Sequence, residues 1–282
     1  MPIVSLSEAV ASHVHDGDSV ALEGFTHLIP FAAGHELIRQ RLTDLHLIRM
    51  TPDLVYDQLI GVGAARALTF SWGGNPGVGS AHRLREAIES GSPRALVINE
   101  HSHAGMGVAY SAGAARLPFG MLRGYLGTDL PAVNPAIRHV TCPYTGEVLA
   151  TVPALNPDVT ILHAQKADRK GNVLIAGIIG AQKEAALAAA RLIVTVEEIV
   201  DELDAPMNAV VLPHFVVSAV ACVPYGAWPS YSRGYYPRDN AFYLAWDAIA
   251  RDRGAFARWI DRHVRGTRDH AGFLRSLAAA TP

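Results

Sequence analysis

Ser19-Val20-Ala21-Leu22-Glu23-Gly24-Phe25-Thr26-His27 is a short apolar run that closes on a carboxylate, a glycine and a histidine. Residues 19–22 read as a buried strand, and a helix-period pattern follows over 33–39. A strand that enters a helix through a glycine turn is the opening half of a βαβ unit. Ligands of open α/β sheets gather at such places, because backbone N–H groups at the helix start can face an anion or a carbonyl oxygen. Taken alone, Gly24-Phe25-Thr26-His27 serves equally well as a tight strand–helix turn.

The same cycle recurs on both sides of this stretch. Upstream, Ser5 and Glu8 have the spacing of a capping box that opens a helix, and Asp16-Gly17-Asp18 turns the chain into the strand. Downstream, strands are expected over 45–49, 67–71, 95–100, 159–163 and 192–196. Helices are expected from Thr51-Pro52-Asp53, where proline suits the first turn, and over 80–89 and about 105–116. Residues 183–191, rich in alanine, form the strongest helix pattern. The alternation predicts an α/β fold with an open, largely parallel sheet flanked by helices.

After Pro206 the texture changes. Residues 224–238 are rich in proline, glycine and aromatics (Tyr225, Trp228, Tyr231, Tyr235, Tyr236), which suits a long ordered loop lining a site or packing on a partner. For Tyr235 and Tyr236 a plain packing role is as good a reading. Residues 240–265 read as one amphipathic helix bearing Phe242, Leu244, Trp246, Ile249, Phe256 and Ile260. With no solenoid repeat and no low-complexity linker, residues 1–282 are expected to form a single domain, with the aromatic loop and helix from about 206.

Composition narrows the function. The 282 residues are 50% hydrophobic and 18% charged, enough for a sizeable core and lean enough in charge to suggest a subunit interface. A net charge of −2 without a Lys/Arg-rich run gives no footprint for nucleic acid. Cys142 and Cys222, far apart, are expected to be small buried hydrophobes rather than a disulfide or a nucleophile. Met1 to Ser5 show no secretory pattern and no apolar stretch reaches membrane-spanning length, so a cytoplasmic protein without a membrane partner is expected.

Two further stretches could carry chemistry. Ser71-Trp-Gly-Gly-Asn-Pro-Gly-Val-Gly-Ser80 holds four glycines in a strand–helix loop, where positive φ or close approach to a ligand is one reason for them and a simple connector is another. It lacks the Gly-Lys-Ser/Thr of a P-loop. Asn99-Glu100-His101-Ser102-His103 ends the strand over 95–100. A carboxylate there can act as nucleophile or general base, or can bond the N–H groups of the next helix. His101 and His103, two apart on extended backbone, would face one side, yet no further ligands complete a metal site, and none is expected. Gly61 to Arg66 lacks the third glycine of a dinucleotide fingerprint and sits at a helix end.

Together these stretches resemble the A (alpha) subunit of class I coenzyme A transferases, in the glutaconate CoA-transferase-like branch. The resemblance runs through Asp16-Gly-Asp18, Gly24 to His27, Met50 to Gly61 and Phe70 to Gly77. It continues through Glu100 to Gly105, Leu117-Pro118-Phe119, Ala164 to Asn172 and Val194 to Val200. It implies a fold of the NagB/RpiA/CoA-transferase type and a homologous partner, the B (beta) subunit. The reaction it implies moves CoA from an acyl-CoA to a small carboxylic acid, through a glutamate of the B subunit, with no cofactor beyond the thioester substrate. The pocket residues it implies here are Gly24, Phe25, Thr26, His27, Ser71, Gly73, Gly74, Asn75, His101 and Ser102, with Glu100 as a pocket carboxylate. Glu23 stands where many relatives carry a second glycine, a departure that could narrow or charge the pocket, or leave the side chain simply pointing away. A steroid-ring-opening branch of relatives uses a glutamate of the corresponding chain for hydrolysis, so hydrolysis through Glu100 is one alternative. A non-catalytic acyl-CoA-binding subunit is the other.

Overall fold

The structure is a computed structural model that describes residues 3–279, so Met1 and Pro2 lie outside the described residues. Helix α1 (Leu6–His13) opens with the anticipated box: Ser5 Oγ accepts from Glu8 N–H and the Glu8 carboxylate accepts from Ser5 N–H. Three βα units follow, β1 (Ser19–Glu23), α2 (Phe31–Arg39), β2 (Leu45–Ile48), α3 (Leu54–Gly61), β3 (Ala65–Phe70) and α4 (His82–Ser90), before β4 (Val97–Glu100). Asp53 caps α3 by accepting from Val55 N–H, which puts Pro52 before the helix rather than in its first turn.

Helix α5 (His103–Ala114) leads to a part of the chain that the sequence pattern did not reveal. Here β5 (Phe119–Leu122), the short α6 (Leu130–Val133), β6 (Arg138–Thr141) and β7 (Val148–Pro153) build a separate three-stranded antiparallel sheet. The chain then re-enters the main sheet with β8 (Val159–Asp168), β9 (Val173–Ile175), α7 (Gln182–Ala188), β10 (Arg191–Val200), β11 (Val210–Leu212) and β12 (Ala219–Cys222). Thus β11 and β12 lie in the region expected to be only loop and helix.

Parallel pairing runs β12-β10-β8-β1-β2-β3-β4, and β9 and β11 add on antiparallel beside the far half of β8. From β1 the chain winds outward to β4; from β8 it winds the opposite way to β12. The strand order therefore reverses between β1 and β8, and at such a switch the loops at the carboxyl ends part and leave a crevice. Val20 and Leu22 of β1 pack under α2 and α3, while Ala21 faces α5 and α7 with Ile48, Met106, Tyr110 and Ala185. Alternation along one strand thus serves helices on both faces.

Two helices end earlier than their composition suggests. Helix α7 stops at Ala188 because Pro157 and Asp158 carbonyls take the Ala190 and Arg191 N–H groups, and Arg191 opens β10 instead. The C-terminal pattern is broken into α8 (Asn240–Arg251), α9 (Arg253–Trp259) and a π-helical turn (Ile260–Arg265), followed by α10 (His270–Ala278). Asp252 causes the break: extended, it caps α9 by accepting from Ala255 N–H at 2.6 Å. Neither cysteine is buried as expected. Cys142 lies at a β6–β7 turn, where Thr145 and Tyr144 hydrogen bonds hold its thiol below the usual range, and Cys222 is exposed at the end of β12. No described helix is long and apolar enough to cross a membrane.

Candidate active site

Two adjoining cavities occupy the crevice at the switch point. The larger, about 380 Å³, lies among Phe25, Met50, His103, Ser111, Ile179 and Gly180. The smaller, about 180 Å³, lies among Phe25, Thr26, Thr51, Trp72, Arg238 and Tyr243. Phe25 and His103 belong to both, so the two form one bent crevice across the carboxyl ends of β1, β2 and β3.

The turn after β1 is built for close approach. A Cβ on Gly24 would stand 2.7 Å from the Leu28 carbonyl oxygen and 2.9 Å from Ile29 Cα, so only glycine fits. Thr26 and Leu28 hold left-handed φ values of 56° and 54°, uncommon for residues with a side chain. What holds this turn is a buried polar frame. Arg49, at the end of β2, donates from Nη2 to the Gly24 carbonyl (2.9 Å) and from Nη1 to Asp53 Oδ1 (3.1 Å). Glu23 is part of the same frame rather than a charge in the cavity. It is 2% exposed, and its Oε1 accepts from Met50 N–H (3.0 Å) and Tyr110 O–H (2.9 Å). Burial pushes its carboxyl upward, against the pull of Arg49.

His27 is also structural in setting. It is fully buried, its Nε2 accepts from Arg233 N–H (3.0 Å), and the proton this leaves on Nδ1 points to the Ile178 carbonyl (3.3 Å). Burial lowers its pKa to about 4, so the ring is neutral near pH 7. His27 lines neither cavity but ties together two loops that do.

Phe25 lines both cavities and Thr26 the smaller one. Ser71 stands at the rim, donating to the Met50 carbonyl (2.6 Å) and lying 3.2 Å from His103 Nδ1. Gly74 and Asn75 support the wall from behind, while Gly73 faces Leu84 and Phe70 in a separate hollow outside the crevice. A Cβ on Gly74 would meet the Trp72 ring at 2.9 Å, and buried Asn75 donates to the Tyr243 carbonyl at 2.8 Å.

The Glu100 cluster comes apart. Because α5 begins at His103, His101 and His103 do not share an extended backbone or a side. His101 is buried against Tyr125 (3.2 Å) and Asn134 (3.2 Å), and burial lowers its pKa, whereas His103 is exposed at the crevice. Ser102 caps α5 through Gly105 N–H (3.0 Å). Glu100 ends the edge strand β4, exposed, lining neither cavity, and its carboxylate has no hydrogen-bond partner among the described residues.

Sequence reasoning missed Met50, Thr51, the 178–181 loop, Arg238 and Tyr243. Gly180 carried a signal: a Cβ there would stand 2.8 Å from Phe25 Cβ, and the run Gly177-Ile-Ile-Gly180 is apolar without being a strand. Tyr235 and Tyr236 turn away from the crevice and donate to Glu198 (2.7 Å) and Glu197 (2.5 Å). Glu197 also pairs with buried His163 (2.7 Å), so this cluster anchors the aromatic loop.

The chain as a whole has relatives among known proteins. Residues 3–222 match the family model described as coenzyme A transferase. The chain is 66% identical to the A subunit of the 3-oxoadipate CoA-transferase of Pseudomonas knackmussii, over 98% of both chains. It is 32% identical to the A subunit of the glutaconate CoA-transferase of Acidaminococcus fermentans, over 98% of this chain and 92% of that one. The crystal structure of the Acidaminococcus glutaconate coenzyme A-transferase superimposes with a TM-score of 0.91, covering 99% of this chain and 94% of that chain. At greater distance, 26% identity relates 94% of the chain to 93% of the IpdA component of the cholesterol ring-cleaving hydrolase of Rhodococcus jostii.

Proposed function

The chain belongs to the coenzyme A transferase family, and from that premise we propose that it works as the A (alpha) subunit of a heteromeric enzyme moving CoA between an acyl-CoA and a small carboxylic acid. A homologous B subunit completes the site and supplies the glutamate nucleophile. That carboxylate attacks the thioester carbonyl, the C–S bond breaks, and CoA leaves as thiolate from a mixed anhydride. Thiolate attack on the anhydride then gives a glutamyl-CoA thioester and releases the first acid. The acceptor carboxylate reverses the two steps, so thioester energy is conserved. No cofactor is required beyond the CoA thioester, and the cytoplasm, where acyl-CoA is made, is the compartment that suits it.

The observation that carries this reading is the bent, apolar crevice at the β1/β8 switch, in a chain 66% identical along its length to the corresponding chain of a CoA-transferase. This chain's share is a fixed wall. Arg49 and Glu23 hold the Gly24-Phe25 turn rigid, and apolar walls exclude water that would hydrolyse the anhydride. The acids named for the two transferase relatives, 3-oxoadipic and glutaconic, are dicarboxylic, and a dicarboxylic acyl group is the substrate class we assign here.

The test is to co-express the chain with the B subunit of its enzyme and follow CoA exchange between succinyl-CoA and added 3-oxoadipate. Acceptor-dependent formation of the new thioester is expected. Thioester loss at the same rate without any acceptor would overturn the reading in favour of hydrolysis, and thioester binding without turnover would overturn it in favour of a purely binding role.

A further inference from the structure

We propose that Arg238 binds the far carboxylate of a dicarboxylic acyl chain and so sets the enzyme's preference for diacids; the inference rests on the reading above and deepens it. Arg238 lines the smaller cavity, half-buried, its guanidinium 3.9 Å from the Tyr243 ring centroid. Nη2 donates to the Pro76 carbonyl at 2.7 Å. These contacts fix the plane of the fork but neutralise no charge.

Among the described residues no carboxylate makes a direct ion pair with Arg238, though Asp53 feels its charge. Asp53, which shares the cavity, is committed to Arg49 at 3.1 Å. Asp239, next in sequence, accepts from Phe242 N–H as the cap of α8. Glu23 lies beyond Arg49 and bonds Met50 and Tyr110. Asp53 answers Arg238 only at a distance, so the guanidinium stands without a direct ion-pair partner beside a cavity whose other walls are mostly apolar. A cation held in such surroundings calls for an anion, and a planar fork suits a carboxylate.

Size and position select the ligand. About 180 Å³ is room for roughly six water-sized groups, enough for the end of a short acyl chain and too little for the nucleotide of CoA. Phe25, Ile29 and Trp72 offer apolar surface to methylenes, and Thr26 and Thr51 stand near enough to serve a polar end group. The larger cavity meets this one at Phe25 and His103, leaving a path for the reacting end of the same chain.

The experiment uses the complex of this chain with its B subunit, given two acceptors of equal length, a dicarboxylic and a monocarboxylic acid. In R238M the ratio of kcat/KM for diacid over monoacid is expected to fall about 10- to 100-fold, the range of a charged hydrogen bond. R238K, which keeps the charge without the fork, should fall between. Calorimetric titration of the free diacid into the complex provides a readout without turnover, and weaker binding by R238M to a similar extent is expected. An unchanged ratio in R238M, whether both acceptors lose activity equally or neither does, overturns the proposal. A wild-type complex that binds the diacid through Arg238 but transfers no CoA would leave this inference standing and overturn the proposed function instead.

Discussion

At the ends of β1 and β4 the chain sets a carboxylate followed within four residues by a histidine, Glu23 with His27 and Glu100 with His103, and the two pairs meet opposite fates. The first is wholly inside: Glu23 is 2% exposed, His27 is 0% exposed, and every polar atom named above has a partner. The second is outside, with the Glu100 carboxylate unbonded among the described residues and His103 open to the crevice. The two strands are similarly short and both parallel. What differs is rank in the sheet, since β1 is central and β4 is an edge. Rank decides whether a rim carboxylate becomes part of the frame or stays free for solvent.

The largest effect should come from breaking the buried pair's frame. E23A leaves Met50 N–H and Tyr110 O–H without their acceptor and is expected to cost roughly 3 kcal/mol in urea unfolding of the chain. A loss below about 1 kcal/mol would mean that water replaces the carboxylate, and that the frame is looser than its distances imply.

The histidine gives a pH test of intermediate size. His27 has a folded pKa lowered to about 4, below the unfolded value near 6.5. Between these values the unfolded chain holds the extra proton, so stability falls as pH drops from about 6.5 toward 4 and levels off below. H27N should flatten that slope relative to wild type without abolishing it, because buried His270 is lowered to about 4 in the same way. Unfolding midpoints at pH 7 and pH 5 would check it, and an unaltered slope would mean that His27 does not stay neutral in the fold.

The smallest effect belongs to β4. E100A should change stability by no more than about 0.5 kcal/mol, as expected for an exposed side chain without partners. A larger loss in the isolated chain would reveal a bond to the next helix that the structure does not contain.

This contrast also explains what the sequence could convey. β1, β2, β3 and the first halves of β8 and β10 are largely apolar runs, because strands covered on both faces need little polar alternation, and they were readable for that reason. The small antiparallel sheet was not, because Phe119 and Met121 are exposed beside buried Gly120 and the usual polarity is inverted. Site residues followed the same division. Phe25 and Thr26 are adjacent to a strand that announces itself. Arg238 reaches the crevice only through contacts spanning most of the chain, such as Ser230 Oγ to the Thr26 carbonyl and Asn75 to Tyr243. No local pattern encodes those.

The His27 ring, finally, works as a rivet. One edge holds the loop at Ile178 and the other holds the loop at Arg233, five residues before Arg238. The wall of the large cavity and the strap that carries the arginine are thereby fastened to one plate and cannot swing separately. An acyl chain entering this crevice meets, on this side, a mould already set.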